Sequence, residues 1–402
     1  MTASRSDRLR IAVVITELDA GGAERLLISL LRVFRDMPAG PDCTVYCLEG
    51  SAPLAEEIER LGVGVVHLHS RFRFDPRTIA ALAHHLHRHP VDVVHAHLPR
   101  AGLVAGLVTR RLGLPFVYTE HSVRTPLTQW VARLGWRPFG VRPMTVAVSE
   151  PAAAALPSWL EPIVIQNGVD WEGLREHEAQ PGASKRELGL PPDAPFLLNV
   201  AKLRAAKGQT VLLRAMRTIA NALPSAHLAI AGAESDAAQR VKDLRAELGL
   251  EQNVRLLGFR RDAVELLSDA DVFVLSSLRE GLPIALLEAM ALGVPSIVTD
   301  VGGCAEAIRH EIDGLVVAPG DPDALADAGL RLLRDPELRR RMGQAAAGRA
   351  SEVFGIDGTA RRYVDLYRRV LEGAEPSRRD RVEVRHGAPR RVASSEARAR
   401  VP

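Results

Sequence analysis

The sequence predicts an α/β protein built from two doubly wound parallel-sheet domains in tandem. Three observations lead there. Short β-rich runs alternate with helical runs through most of the 402 residues. Most of these runs are continuously apolar rather than alternating, which is the pattern of strands covered by helices on both faces. The alternation also pauses over a polar stretch with Gly and Pro, 171–194, and then restarts.

Taken in order, the first half offers "RIAVVIT" at 10–16, "CTVYCLE" at 43–49, "VGVVHLH" at 63–69, "VDVVHAH" at 91–97, "PFVYTEH" at 115–121, "TVAVS" at 145–149 and "IVIQNG" at 163–168. The second half offers "FLLNVAK" at 196–202, "AHLAIAG" at 226–232, "VRLLG" at 254–258, "VFVLSS" at 272–277, "PSIVTD" at 295–300 and "GLVVAP" at 314–319. "RRYVDLYRRVL" at 361–371 reads as a last amphipathic helix. The expected organisation is a first domain over 1–175, a second over 190–355, a crossover helix over 356–373 and a disordered basic tail over 374–402. The tail lacks apolar periodicity and cannot offset the entropy of ordering.

Composition narrows the function. Residues are 47% apolar and 25% charged, ordinary for a globular chain. The net charge is +3, but 376–402 carries eight Arg against three acids, so the body is close to neutral. A nucleic-acid binder is expected to carry a basic face on its folded part, and none is evident. Three cysteines, Cys43, Cys47 and Cys304, suit a reducing cytoplasm better than a disulfide framework. Cys43 and Cys47 read as buried thiols. No run reaches the roughly 18 apolar residues of a membrane span, and the apolar run near the start reads as a first strand rather than a signal peptide.

Open parallel sheets bind ligands at the carboxyl ends of their strands, so the residues after each strand matter most. After the first strand, Gly21 and Gly22 mark a turn into a helix, where backbone N–H groups can approach a phosphate. The turn is not the G-x-G-x-x-G dinucleotide fingerprint. After the eighth, Lys202 and Lys207 flank a loop before a helix that begins near Gly208, a disposition that suits a diphosphate. After the eleventh comes "SSLREGLPIALLEAM", 276–290. Glu280 lies in a cleft loop. Gly281 allows close backbone approach, and Pro283 suits the first turn of a helix because its missing N–H would be unpaired anyway. Leu282, Pro283 and Ile284 thereby offer a helix N-terminus. Glu288 lies over one turn further in, on an apolar helix where a carboxylate is costly without hydrogen bonds; a ribose diol would supply two.

"SLREGLPIALLEAMALGVPSIVTDVGGCAEAI" resembles the E-x7-E region of retaining glycosyltransferases of family 4, which have the GT-B fold. "GGAER" at 21–25, "YTEHS" at 118–122, "VSE" at 148–150, "NGVD" at 167–170, "KLRAAKG" at 202–208 and "GFRRDAVELLSDADVFVLSS" at 258–277 fall in the family's order, so the resemblance covers roughly 10–372. It implies two Rossmann-like domains facing across a cleft, with the C-terminal helix returning to the first. It implies that Glu280 contacts donor-sugar hydroxyls, Glu288 holds the ribose, and Lys202 and Lys207 bind the diphosphate and stabilise the leaving nucleotide. Position 202 is more often Arg in the family, and lysine keeps the charge without the bidentate fork. Gly21 and Gly22 are implied to approach the phosphates, and His121 to sit by the reacting centre. The implied catalytic set is His121, Lys202, Lys207 and Glu280. No cofactor or metal is expected, because paired lysines and a helix N-terminus can neutralise the leaving charge.

The implied activity is retaining transfer of a hexosyl or N-acetylhexosaminyl group from a nucleotide-sugar, UDP-sugar ahead of GDP-mannose. The acceptor is a glycan or lipid-linked molecule of cell-surface polysaccharide or glycoconjugate synthesis. The first domain carries the acceptor candidates: His97 at a strand end, and Trp130, Arg133, Trp136 and Arg137 in "TPLTQWVARLGWRPFGVRP", 125–143. For a chain only 4% aromatic this is a local excess beside basic residues, as in interfacial segments. Peripheral contact with the inner face of the cytoplasmic membrane is one expectation; a cleft wall or packing helix is the other. "HHLHRH" at 84–89 reads as an exposed part of a helix rather than a metal cluster. The alternatives are a soluble small-molecule acceptor, a GT-B-fold sugar-nucleotide epimerase, and a non-catalytic nucleotide-sugar-binding protein.

Overall fold

The computed structural model describes residues 8–19, 21–49, 52–72, 75–123, 130–175 and 180–373, without the side chains of 132 and 133. The expected disordered tail lies outside the described residues. Seven strands form the first sheet: β1 (Arg10–Ile15), β2 (Asp42–Cys47), β3 (Gly64–His67), β4 (Val93–His97), β5 (Phe116–Glu120), β6 (Met144–Ala147) and β7 (Ile163–Val164), in the order β3-β2-β1-β4-β5-β6-β7. Six form the second: β8 (Phe196–Val200), β9 (His227–Ala231), β10 (Val254–Gly258), β11 (Val272–Leu275), β12 (Ser296–Thr299) and β13 (Gly314–Val317), in the order β10-β9-β8-β11-β12-β13. All the pairings between these strands are parallel.

The apolar runs become strands because helices cover both faces. In β1 every residue after Arg10 is buried. The helix Gly22–Asp36 buries Leu26, Leu27, Leu30, Leu31 and Phe34, the i, i+3, i+4 spacing of one face. Local chemistry sets several helix starts. Asp75 accepts the Arg77 N–H, Ser149 accepts the Ala152 N–H, and a proline follows each cap in the first turn.

The order of each sheet reverses between two strands that are not consecutive in the chain, β1 and β4 in the first and β8 and β11 in the second. Ligands of open α/β sheets bind at such switch points. The segments after β1, β4, β8 and β11 lie at these points, and His121 follows β5 beside β4.

The C-terminal helix Ile356–Leu371 returns to the first sheet. Tyr363 and Tyr367 are buried against it, and Tyr367 meets Phe34 edge to face with ring centroids 6.4 Å apart. Each buried ring contributes roughly 2–3 kcal/mol through the area removed from water. The return is pinned where the Val169 N–H donates to the Phe354 carbonyl at 2.8 Å and the Ile356 N–H to the Val169 carbonyl at 3.1 Å.

Cys47 and Cys304 are buried and Cys43 is half-buried; all three are free. The His84–His89 segment lies mostly in the helix Pro76–Arg88, with His84, His87 and His89 exposed and His85 against Tyr46. No helix of the described residues is long and apolar enough to cross a membrane.

Candidate active site

The second sheet supplies an ion pair. Lys207 Nζ donates to both Glu280 oxygens, at 2.7 and 2.8 Å, and Ser277 Oγ donates to Oε1 at 2.6 Å. Glu280 is buried and Lys207 half-buried. A pair of this kind costs desolvation and holds its geometry only while both partners remain. Gly208, at φ 63°, makes the approach possible: a Cβ there would lie 2.1 Å from the Ser276 carbonyl oxygen. Its left-handed backbone caps the helix Gln209–Ala222. Ser277 was not singled out from the sequence, although it stands inside the same motif.

Beyond Glu280 the chain runs against the first domain. A Cβ on Gly281 would sit 2.2 Å from the His121 carbonyl oxygen, so only glycine fits. Ser149 Oγ donates to the Gly281 carbonyl at 3.3 Å and Asn167 Nδ2 to the Leu282 carbonyl at 2.6 Å. Pro283 occupies the cap position, one residue earlier than expected, and the helix runs Ile284–Ala291. Leu282 and Ile284 have buried side chains, so only their backbone is offered at this helix N-terminus. Ile284 reaches Gly22, whose added Cβ would lie 3.5 Å from Ile284 Cγ1. The glycine turn of the first domain and this helix N-terminus are therefore brought together.

Glu288 lies further along that helix, half-buried, with no hydrogen bond to its carboxylate from the described residues. Burial raises its pKa, offset in part by the Arg25 charge. The half-buried carboxylate is able to accept hydrogen bonds from a donor that arrives at it.

The first domain adds an acid that the sequence reading did not single out. Glu24, within "GGAER", is 4% exposed and folds back over Gly21. Burial pushes its pKa up to about 7, against the pull of its own N–H and of Lys202. Lys202 Nζ lies 3.9 Å from both Glu17 and Asp19. The folded protein therefore holds a proton on Glu24 between its ordinary 4.5 and about 7 where the unfolded chain does not. Stability from this group falls as pH rises through that window. Glu24→Gln is expected to remove this loss, raising the melting temperature relative to wild type near about pH 8 and not near about pH 5, with a limit of about 3 kcal/mol. Parallel melting-temperature profiles for the two proteins would refute the assignment.

His121 directly follows β5, half-buried, and burial lowers its pKa to about 4. His97, expected to meet acceptor, is 1% exposed and bonded through Nδ1 to His121 Nε2 at 2.9 Å. Its ring is enclosed and has no face for an acceptor. Trp136 is corrected likewise. It is 1% exposed, stacked edge-on to Tyr118 with centroids 4.9 Å apart, and its indole N–H donates to the Gly102 carbonyl at 3.1 Å. It is a core residue, not an interfacial one. Trp130, Leu134, Arg137 and Phe139 of the same segment are exposed. The side chain of Arg133 lies outside the described residues.

Two parallel α/β sheets facing across a cleft, each presenting its switch point, define the GT-B architecture of sugar-transferring enzymes. The profile of Glycosyltransferase Family 4 matches residues 20–172, and that of Glycosyl transferases group 1 matches 182–349. A D-inositol 3-phosphate glycosyltransferase of Frankia alni is 30% identical over 312 residues, 70% of this chain and 75% of the relative. An Escherichia coli enzyme named UDP-Gal:alpha-D-GlcNAc-diphosphoundecaprenol alpha-1,3-galactosyltransferase is 26% identical over 73% of this chain and 79% of its own. Anabaena HepE in complex with UDP-glucose superposes with a TM-score of 0.78 at 21% identity, over 89% of this chain and 99% of that one, a likeness of fold. The chain belongs to the group 1, family 4 glycosyltransferases and is an enzyme that transfers sugars.

Proposed function

We propose that the protein transfers a sugar from a nucleotide-sugar, with retention at the anomeric carbon, to a glycan or lipid-linked acceptor. The observation that carries this is the Lys207–Glu280 pair at one switch point, set against the Gly21–Gly22 turn at the other and against His121 after the neighbouring β5. Lys202 and Lys207 bind the diphosphate, joined by the amides of the glycine turn and of the 281–284 segment. Glu288 accepts the ribose hydroxyls, and Glu280 accepts hydroxyls of the donor sugar. The bond from the anomeric carbon to the phosphate oxygen breaks as the acceptor oxygen approaches from the same face. The departing phosphate oxygen takes the acceptor's proton. The fixed cations stabilise charge where it develops, without reorganisation. The E. coli relative, named for a UDP-sugar and a diphosphoundecaprenol acceptor, supports a UDP-sugar donor and a lipid-linked acceptor.

The test is nucleotide release from UDP-sugars and GDP-mannose, with and without candidate acceptors, followed by the anomeric configuration of the product by NMR. Acceptor-dependent release and retained configuration are expected. An inverted product would overturn the retaining mechanism, and conversion of donor to an epimeric nucleotide-sugar without acceptor would favour the epimerase reading.

Membrane contact, in this reading, falls to Trp130, Leu134, Arg137 and Phe139, exposed on one segment. Aromatic and aliphatic groups would enter the headgroup layer while Arg137 meets anionic lipid, an attraction that salt screens. Replacing Leu134 and Phe139 by Ser and Arg137 by Ala is expected to reduce co-sedimentation with anionic vesicles and leave nucleotide affinity intact. A wild-type protein that never sediments with vesicles at low salt would instead favour a soluble acceptor.

A further inference from the structure

Behind His121 lies a chain of buried polar rings that the transfer reaction itself does not use. Tyr367 of the C-terminal helix bonds through its hydroxyl to His95 Nδ1 at 2.8 Å, and His95 Nε2 meets Thr119 Oγ1 at 2.8 Å. Thr119 Oγ1 also meets the Tyr363 hydroxyl at 3.1 Å. Both nitrogens of His95 are satisfied. Its ring packs on His97 with centroids 4.1 Å apart, and His97 in turn stacks near His121 at 5.2 Å. Leu98, directly after His97, has φ 74° and ψ 149°, a conformation outside glycine's company that costs about 1–3 kcal/mol. The end of β4 is held in place despite that cost.

Burial keeps all three imidazoles neutral at neutral pH. It lowers His95 to about 3 and His121 to about 4, and His97 well below its ordinary value. Two neutral rings joined nitrogen to nitrogen share one hydrogen, so the pair has two arrangements. If His121 donated from Nε2, His97 would carry its own hydrogen on Nε2, which is buried with no partner. That leaves a buried N–H orphaned. If His97 donates from Nδ1, the orphan is only a bare nitrogen lone pair, the less costly defect. The second arrangement puts the His121 hydrogen on Nδ1, the nitrogen His97 does not occupy.

Resting on the reading of His121 as a residue of the reacting centre, we propose that His97 is a positioning residue. Its Nδ1–H, donated to His121 Nε2, holds His121 in the tautomer whose Nδ1–H serves as a fixed donor to the sugar or the leaving phosphate. His95, pinned by Tyr367 and Thr119, supports the His97 ring from below. The C-terminal helix thus contributes to the geometry of a site it does not line.

Long-range 15N NMR of the histidine side chains in the full chain, assigned with His97 and His121 variants, reads the tautomer directly. The expected wild-type result is a protonated, pyrrole-like Nδ1 and a pyridine-like Nε2 at His121. Turnover supplies the second readout. His97→Ala is expected to lose about 10-fold or more in kcat with little change in KM for donor. His97→Asn, whose amide N–H can replace Nδ1–H, is expected to restore most of that loss. His97→Asp, an acceptor only, is expected to move the His121 hydrogen to Nε2 and to stay slow. A wild-type His121 protonated at Nε2, or Asn and Ala variants equally impaired, would overturn the proposal alone. A His121→Ala variant with wild-type turnover would overturn the reading of His121 and the proposal with it.

Discussion

Lys207→Ala should lower turnover by about 10²–10³-fold while changing donor affinity much less. In the free enzyme Lys207 spends its charge on Glu280, with both carboxylate oxygens engaged. A ground-state diphosphate competes with that carboxylate for the ammonium. As the glycosidic bond breaks, negative charge accumulates on the phosphate oxygen and the balance shifts toward it. An interaction stronger in the transition state than in the ground state appears in kcat. Steady-state kinetics on the variant, with donor binding measured separately by calorimetry, separates the two. A rise in donor KM with kcat preserved would make Lys207 a uniform binder and remove it from leaving-group stabilisation.

Trp136→Ala should be the most damaging substitution for folding, at about 3–5 kcal/mol. The indole fills the space between the helix Pro99–Leu112 and β5. Added Cβ atoms on Gly102 and Gly106 would come within 3.0 Å of Trp136 Cζ2 and 2.7 Å of its Nε1. Phe116 and Tyr118 stand edge-on to the ring. No smaller side chain closes that void, and the Gly102 carbonyl loses the indole as a second donor. Chemical denaturation reads the loss. A variant as stable as wild type but unable to bind vesicles would restore Trp136 to the interfacial role expected from composition.

The contrast between Trp136 and its neighbours shows what the sequence made legible. Each of the thirteen strands lies within or one residue from an apolar run seen in the sequence, because a parallel strand buried on both faces must be apolar throughout. The runs overreach mainly at their carboxyl ends, as at β7, where residues after the strand belong to the cleft. Glycine and charge after those strands marked the site for the same reason. The spatial partner of a given side chain was not legible. Trp136 is buried because Gly102 and Tyr118, distant in the chain, fold onto it, and a count of aromatic and basic residues cannot see that. His97 differs from an acceptor ligand only through its bond to His121 and the rings beneath it. Glu24 sat inside a quoted motif, but its burial depends on Gly21 lacking a side chain over which the carboxylate can fold.

In this reading the cleft holds a nucleotide whose ribose is bound by Glu288. Calorimetric titration of wild type and Glu288→Gln with UDP and with GDP tests it most directly. Removing the charge of a half-buried carboxylate that accepts no hydrogen bond from the described residues should leave the melting temperature of the free enzyme unchanged or higher. One of the two nucleotides should bind wild type and bind the variant more weakly by about 1–3 kcal/mol, the worth of a hydrogen bond to a charged group. Equal affinity in a folded variant would remove Glu288 from ribose binding, and no binding of either nucleotide to wild type would rule out a nucleotide site here.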